Sequence, residues 1–136
     1  MSTATGEALR EAGLRSTRQR LTVLDALRER RDAVTAQGLH AELRQAGEGV
    51  GLTTVYRTLT SLAEAGLLDI FDRDGEQAFR LCGQIHHHHL VCTNCGRVDE
   101  ISADEVEDWV RAVARRHGFE VTGHRADAFG LCPDCR

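Results

Sequence analysis

The sequence predicts an α+β chain of two small domains: an N-terminal winged helix-turn-helix domain, then a small α/β dimerisation domain with a four-cysteine zinc site. Three observations carry this. Three stretches of helical period occupy the first half and end at Gly66, after which the period becomes the alternation of a hairpin. Two Cys-x-x-Cys pairs, Cys92-Thr-Asn-Cys95 and Cys132-Pro-Asp-Cys135, bracket the last third of the chain. Four consecutive histidines, His86 to His89, stand where the two patterns meet.

The elements follow in order. Met1 to Arg10 is polar and lacks the apolar core of a signal peptide, and no apolar run nears the roughly 20 residues of a membrane span. The expectation is a cytoplasmic protein with no membrane partner. Thr17 is placed to cap a helix carrying Leu21, Val23, Leu24 and Leu27 at helical spacing. Thr35 opens a second, with Leu39 and Leu43 on one face and Gly47 as its stop. A third runs from about Thr53 to Ala65, with Val55, Leu59, Leu62 and Ala63 inward and Gly66 as its stop. Leu68 and Ile70, then Ala78, Arg80 and Cys82, flank Asp72-Arg73-Asp74-Gly75, whose Asp-Gly step suits a hairpin turn. In this arrangement the third helix is the one offered to a DNA major groove.

The second half predicts short strands at Leu90–Val91 and Arg97–Ile101, with a capping box at Ser102-Ala103-Asp104-Glu105. The box opens a helix whose buried stripe is Val106, Trp109, Val110 and Val113, and Phe119–Thr122 and Asp127–Leu131 read as two further strands. The domains divide as 1–82, a ligand-bearing hinge at 83–89, and 90–136.

Composition limits the function. The 136 residues carry 17 basic side chains, all arginine, against 21 acidic ones, a net charge of −4 that excludes a uniformly basic, histone-like binder. The length leaves no room for a large α/β enzyme domain with a second substrate domain. Six aromatic residues make a thin core, for which a metal staple would compensate. Charge is uneven: Arg10 to Asp32 holds seven arginines against four acids, whereas Leu81 to the end holds six against nine. The first half is therefore the half able to approach a polyanion, although such a run also suits a solvated helix face.

Four thiolates satisfy tetrahedral zinc, and two Cys-x-x-Cys turns pin a domain's ends together at a closed, structural site made of Cys92, Cys95, Cys132 and Cys135. A thioredoxin-type motif would instead open a helix after a strand, and Cys132-Pro-Asp-Cys135 is followed by one residue. In an extended strand His86 and His88 share one face and His87 and His89 the other, so the run can serve two ions. Asp69 and Cys82 are available to His87 and His89, and Glu107 and His124 to His86 and His88. Spacing leaves these closures open: Cys82 equally suits a small buried apolar residue, and a histidine run can be metal-avid without function. His40 and His117 suit surface or helix-end positions.

The segment Gly51-Leu-Thr-Thr-Val-Tyr-Arg-Thr-Leu59, the run His86 to His89 leading into Leu90-Val91-Cys92, and the two Cys-x-x-Cys pairs together resemble the ferric uptake regulator superfamily, most closely its zinc uptake regulator branch. The resemblance spans about Gly13 to Cys135. It implies a homodimeric, metal-dependent transcriptional repressor of palindromic double-stranded operator DNA that controls zinc-uptake and homeostasis genes. It implies up to three zinc ions per subunit: a structural one on Cys92, Cys95, Cys132 and Cys135, a regulatory one on Asp69, Cys82, His87 and His89, and an additional one on His86, His88, Glu107 and His124. It further implies DNA contacts from Arg15, Thr53, Thr54, Tyr56 and Arg57. The segment between Asp69 and Cys82 is about a residue shorter than is usual in that branch.

Thiolate, carboxylate and two imidazoles suit tetrahedral zinc, whereas iron sensing favours nitrogen and oxygen donors at higher coordination, so Cys82 decides for zinc over an iron- or other metal-sensing repressor. The all-histidine run likewise departs from the His-His-Asp-His order of the iron branch. An enzyme and a zinc-storage module are the competitors from other classes. No ligand set leaves an evident open position beside a general base, and Tyr56 and Arg57 on a capped helix have no purpose in storage. The expectation is thus a protein with no catalytic residues and no small-molecule substrate.

Overall fold

Local capping chemistry sets the first half of the molecule. The computed structural model describes residues 3–82 and 87–136. The chain divides into two units, Met1–Gln84 and Ile85–Arg136. The first contains α1 (Thr3–Glu11), α2 (Arg18–Arg28), β1 (Val34–Thr35), α3 (Ala36–Gln45), α4 (Leu52–Glu64), β2 (Leu68–Arg73) and β3 (Glu76–Leu81). The Thr17 hydroxyl accepts the backbone N–H of Arg20 at 3.2 Å and Thr35 that of Gly38 at 3.1 Å, satisfying donors that the first turns of α2 and α3 leave open. α4 ends where Gly66 takes φ +83°, which lets the Leu67 N–H close on Leu62 O at 3.0 Å.

The wing hairpin is made by Asp74 at φ 54° and Gly75 at φ 84°, the left-handed pair that a two-residue turn matching strand twist requires. The Asp72 carboxylate accepts the Gly75 N–H at 2.9 Å and holds the turn. β2 and β3 pair antiparallel in regular register from Leu68↔Leu81 to Arg73↔Glu76. Val34 and Thr35, unassigned by periodicity, add a third strand through Val34↔Phe79, giving the order β1-β3-β2. One core joins the helices to this sheet, with Val23, Leu39, Val55, Leu59, Leu62 and Phe79 each fully buried.

The sequence reading gave no helix to the N-terminal segment, and α1 corrects it. Its buried face is built from small residues around one large one, Leu9, which is fully buried, so no strong apolar stripe marks it. Thr5 is buried beside α2, donating to Asp25 Oδ1 and accepting from Arg28 Nη1.

The second unit contains β4 (His87–Cys92), β5 (Val98–Ser102), α5 (Asp104–His117) and β6 (Asp127–Gly130), with sheet order β5-β4-β6. β4 runs antiparallel to β5 and parallel to β6. His87, His88 and His89 of the expected hinge thus form the first half of β4. Three expectations are corrected here. α5 starts without a side-chain cap, Ala103 being its N-cap, and Asp104, Glu105 and Glu107 complement the positive end of its dipole instead. Its apolar stripe is not covered within one chain: Trp109 is 65% exposed, and Ala114 is the buried residue of the helix. Phe119–Thr122 forms no strand: it joins neither edge of the β5-β4-β6 sheet, and Phe119 is exposed.

Candidate metal centres and nucleic-acid interface

The four cysteines meet at the end of the second sheet. Cys92 closes β4, Cys95 lies in the turn that follows, and Cys132 and Cys135 lie in the turn after β6. The parallel pairing of Cys92 with Gly130 brings the two turns together, and Thr93 N donates to Gly130 O at 2.8 Å. All four sulfurs lie within 4.8 Å of one another.

The donor set and its dimensions fit zinc. Sulfurs bound at about 2.3 Å to one tetrahedral ion stand about 3.8 Å apart, and Cys95 Sγ and Cys132 Sγ are 3.8 Å apart, far beyond a disulfide. Backbone N–H groups of Cys95 and Cys132 point at Cys92 Sγ at 3.5 and 3.4 Å and pull its thiol down to about 6. Asn94 Nδ2 donates to Cys135 Sγ at 3.3 Å, yet the crowding sulfurs and burial outweigh it and push Cys135 up to about 11. Four neighbouring thiols cannot all ionise unaided, and a dication removes that obstacle.

A second cluster lies in the same unit. The ligand atoms of His88, Glu107 and His124 lie within 4.8 Å of one another. His88 is 2% exposed, its ring 5.2 Å from that of His124, and His124 Nε2 is 2.9 Å from Glu107 Oε1. β4 supplies the first residue, α5 the second and the segment before β6 the third, so three separate elements converge on one point. His86, expected to join this set, lies outside the described residues.

The remaining candidate ligands form a pair in each unit. In the first, Cys82 follows β3 and Asp69 sits on β2, opposite Arg80. Burial pushes the Cys82 thiol up to about 12, and the hydrogen bond and negative charge of Asp69 add to this. Arg80 pulls the other way: its Nη1 donates to Cys82 Sγ at 3.2 Å, while Nε donates to the Arg31 carbonyl at 3.2 Å. In the second unit, strand alternation puts His87 and His89 on one face of β4, their ring centroids 4.6 Å apart and edge-on. Glu100 Oε1 stands 3.4 Å from His87 Nε2, and Asp127 Oδ1 stands 2.8 Å from His89 Nδ1. Sequence reasoning missed both carboxylates. Each faces its histidine across a strand pairing or from the adjacent strand, contacts that spacing along the chain does not encode.

The expected DNA contacts cluster on the surface of the first unit. Thr53, Thr54, Tyr56 and Arg57 lie on the exposed face of α4, with Tyr56 51% exposed while Val55 and Leu59 behind it are buried. Arg15 is exposed in the loop before α2, and Arg20 Nη1 donates to its carbonyl at 2.8 Å. A cleft of about 320 Å³ opens between the first turns of α2 and α4, lined by Arg18, Gln19, Thr22, Glu48, Gly51 and Thr54 among others. The start of α4, whose N-cap Gly51 gives no side-chain cap, lies beside Arg18 and suits a phosphate backbone.

The sequence model of the ferric uptake regulator family matches residues 11–129. The zinc uptake regulation protein of Mycobacterium tuberculosis is 51% identical over 126 residues, covering 92% of this chain and 97% of that protein. Among solved structures, the Vibrio cholerae ferric uptake regulator is 36% identical with a TM-score of 0.72, covering 93% of this chain and 98% of its own. A zinc uptake regulator complexed with zinc and DNA is 30% identical with a TM-score of 0.69, covering 98% and 95%.

Proposed function

Because the chain belongs to the ferric uptake regulator family, we propose that it is a zinc-responsive transcriptional repressor, a cytoplasmic homodimer that binds palindromic operator DNA when zinc fills a hinge site. The family is one of transcriptional regulators, and no enzymatic role is assigned to this chain. The observation that carries the zinc assignment is the thiol of Cys82 beside Asp69 in a chain 51% identical to a zinc uptake regulation protein. Zinc takes thiolate, carboxylate and imidazole in a tetrahedron, whereas a sulfur-free set would favour iron or manganese.

Asp69 and Cys82 from one unit, with His87 and His89 from the other, would hold the regulatory ion. Ligands drawn from both units make their relative placement depend on its binding. An effector shifts a conformational equilibrium only by its preference for one state. Two recognition helices reach successive major grooves of a palindrome only when they stand about 34 Å apart. A hinge joined through four ligands selects that spacing from the range open to the metal-free dimer. Tyr56 and Arg57 on α4 then read bases, Thr53 and Thr54 meet phosphate at the helix start, and Arg15 reaches the adjacent minor groove.

The sulfurs of Cys92, Cys95, Cys132 and Cys135 would hold a second, structural zinc. His88, Glu107 and His124, with His86, would hold the third. The dimer is supported by the apolar side chains that one chain leaves uncovered on the second unit: Trp109, Phe119, Phe129, Leu131 and Leu90.

The test is retention of operator DNA titrated against buffered free zinc, iron(II) and nickel. The proposal expects half-maximal binding at the lowest free concentration for zinc, and loss of the response in Cys82→Ser with the dimer intact. A stronger response to iron(II) would move the protein to the iron-sensing branch, and DNA retention independent of metal would remove the switch.

A further inference from the structure

We propose that Asp127 is a positioning residue for this switch: its carboxylate accepts the Nδ1–H of His89 and so fixes the imidazole with Nε2 as the nitrogen offered to the ion. The inference rests on the hinge site proposed above, and adds to it a residue outside the ligand set.

β4 and β6 run parallel with His89↔Asp127 as Cα partners, which sets the two side chains next to each other. His89 Nδ1 and Asp127 Oδ1 are 2.8 Å apart, with side-chain exposures of 8% and 17%. A carboxylate at that distance has no proton to give, so the hydrogen lies on Nδ1. A neutral imidazole protonated at Nδ1 keeps its single ring lone pair on Nε2. Partial burial strengthens the bond relative to a surface pair. The other carboxylate oxygen, Oδ2, lies 3.9 Å from the exposed Arg125 Nη2, a loose ion pair that leaves the His89 bond as the short contact of Asp127.

The neighbouring histidines set this pair apart. His87 meets Glu100 through Nε2 at the longer distance of 3.4 Å, and His88 belongs to the cluster with Glu107 and His124. Further along the same strand pair, Thr93 N and Gly130 O join β4 to β6 beside the four thiols. The four-cysteine turns therefore anchor the strand on which Asp127 is carried. Histidine ligands whose second nitrogen is bonded to a carboxylate are both oriented and made more basic, and loss of the carboxylate costs about 10- to 100-fold in metal affinity.

The test compares wild type, Asp127→Ala, Asp127→Asn and Cys82→Ser as full-length dimers. Three readouts are taken: zinc affinity by chelator competition, zinc retained by the four thiols, and the His89 tautomer by ¹⁵N NMR at alkaline pH with the hinge free of zinc. Asp127→Ala should weaken the hinge by about 10- to 100-fold, keep the four-thiol zinc and the dimer, and lose the Nδ1–H tautomer. Asp127→Asn, whose amide oxygen still accepts the Nδ1–H, should keep the tautomer and most of the affinity. Hinge affinity unchanged in Asp127→Ala while Cys82→Ser weakens it would overturn the role of Asp127 alone. Equal losses in Asp127→Asn and Asp127→Ala would make it a ligand rather than a positioning residue, and loss of the four-thiol zinc would make it structural. No change in Cys82→Ser would overturn the hinge site and the inference with it.

Discussion

Removing one thiolate from the four-cysteine site should unfold the second unit and leave the first standing. In the second unit, the buried apolar side chains among the described residues are Val91, Val98, Ala103 and Ala114 besides Cys92. Two valines contribute roughly 1.5–3 kcal/mol each on burial, and the alanines less. A structural zinc in a small domain supplies an apparent 10–16 kcal/mol, several times more than one valine. The first unit has its own core, running from Leu9 through Leu62 to Phe79. Cys95→Ser should therefore collapse amide protection across β4 and β6, including the Thr93 N–H bonded to Gly130 O. If only 4 kcal/mol of the zinc contribution is lost, protection falls about a thousandfold, at about 1.4 kcal/mol per factor of ten. Hydrogen exchange read by mass spectrometry on the full chain, at fixed protomer concentration, separates the two units directly. Wild-type protection in β4 and β6 of Cys95→Ser would refute the reasoning, as would loss of protection in α2, α3 and α4 together with it.

Three further outcomes follow from the same geometry. Phe79→Ala opens a cavity where β3 meets the helices and should cost about 3–5 kcal/mol by chemical denaturation, seen in the first unit's transition alone. Thr35→Ala removes the acceptor for the Gly38 N–H and should lower stability by about 1 kcal/mol, with Thr35→Ser recovering most of it. Arg57→Ala should weaken operator binding by about 1–3 kcal/mol while changing non-operator binding much less, which anisotropy titrations at matched salt would check.

Legibility followed the range of the interactions. The caps at Thr17 and Thr35, the stop at Gly66 and the turn at Asp74-Gly75 are local chemistry, and each is visible in four or five consecutive residues. α1 was invisible because small side chains flank a single leucine, and packing on α2 rather than a broad apolar stripe holds it. Periodicity shows that the Trp109 face of α5 is apolar without showing whether its cover comes from the same chain, and within one chain Trp109 is exposed. Phe119–Thr122 has strand-like alternation, but it pairs with none of β5, β4 and β6. The Cys-x-x-Cys pairs announced themselves by spacing, and the fold brings their sulfurs together. In the sequence, Asp127 marks only the start of a strand. Its place beside His89 depends on a parallel register between residues 38 positions apart.

In the proposed switch, zinc at the hinge selects one arrangement of two recognition helices. The most direct test is the distance between them in the dimer, measured by pulsed electron spin resonance. A label on a non-cysteine handle at the exposed Glu64, at the end of α4, reports it without touching any thiol. The expected result is a broad distribution with zinc on the four thiols alone, narrowing to one distance as the hinge fills, and no narrowing in Cys82→Ser. An equally narrow distribution before and after zinc, or the same narrowing in Cys82→Ser, would contradict it.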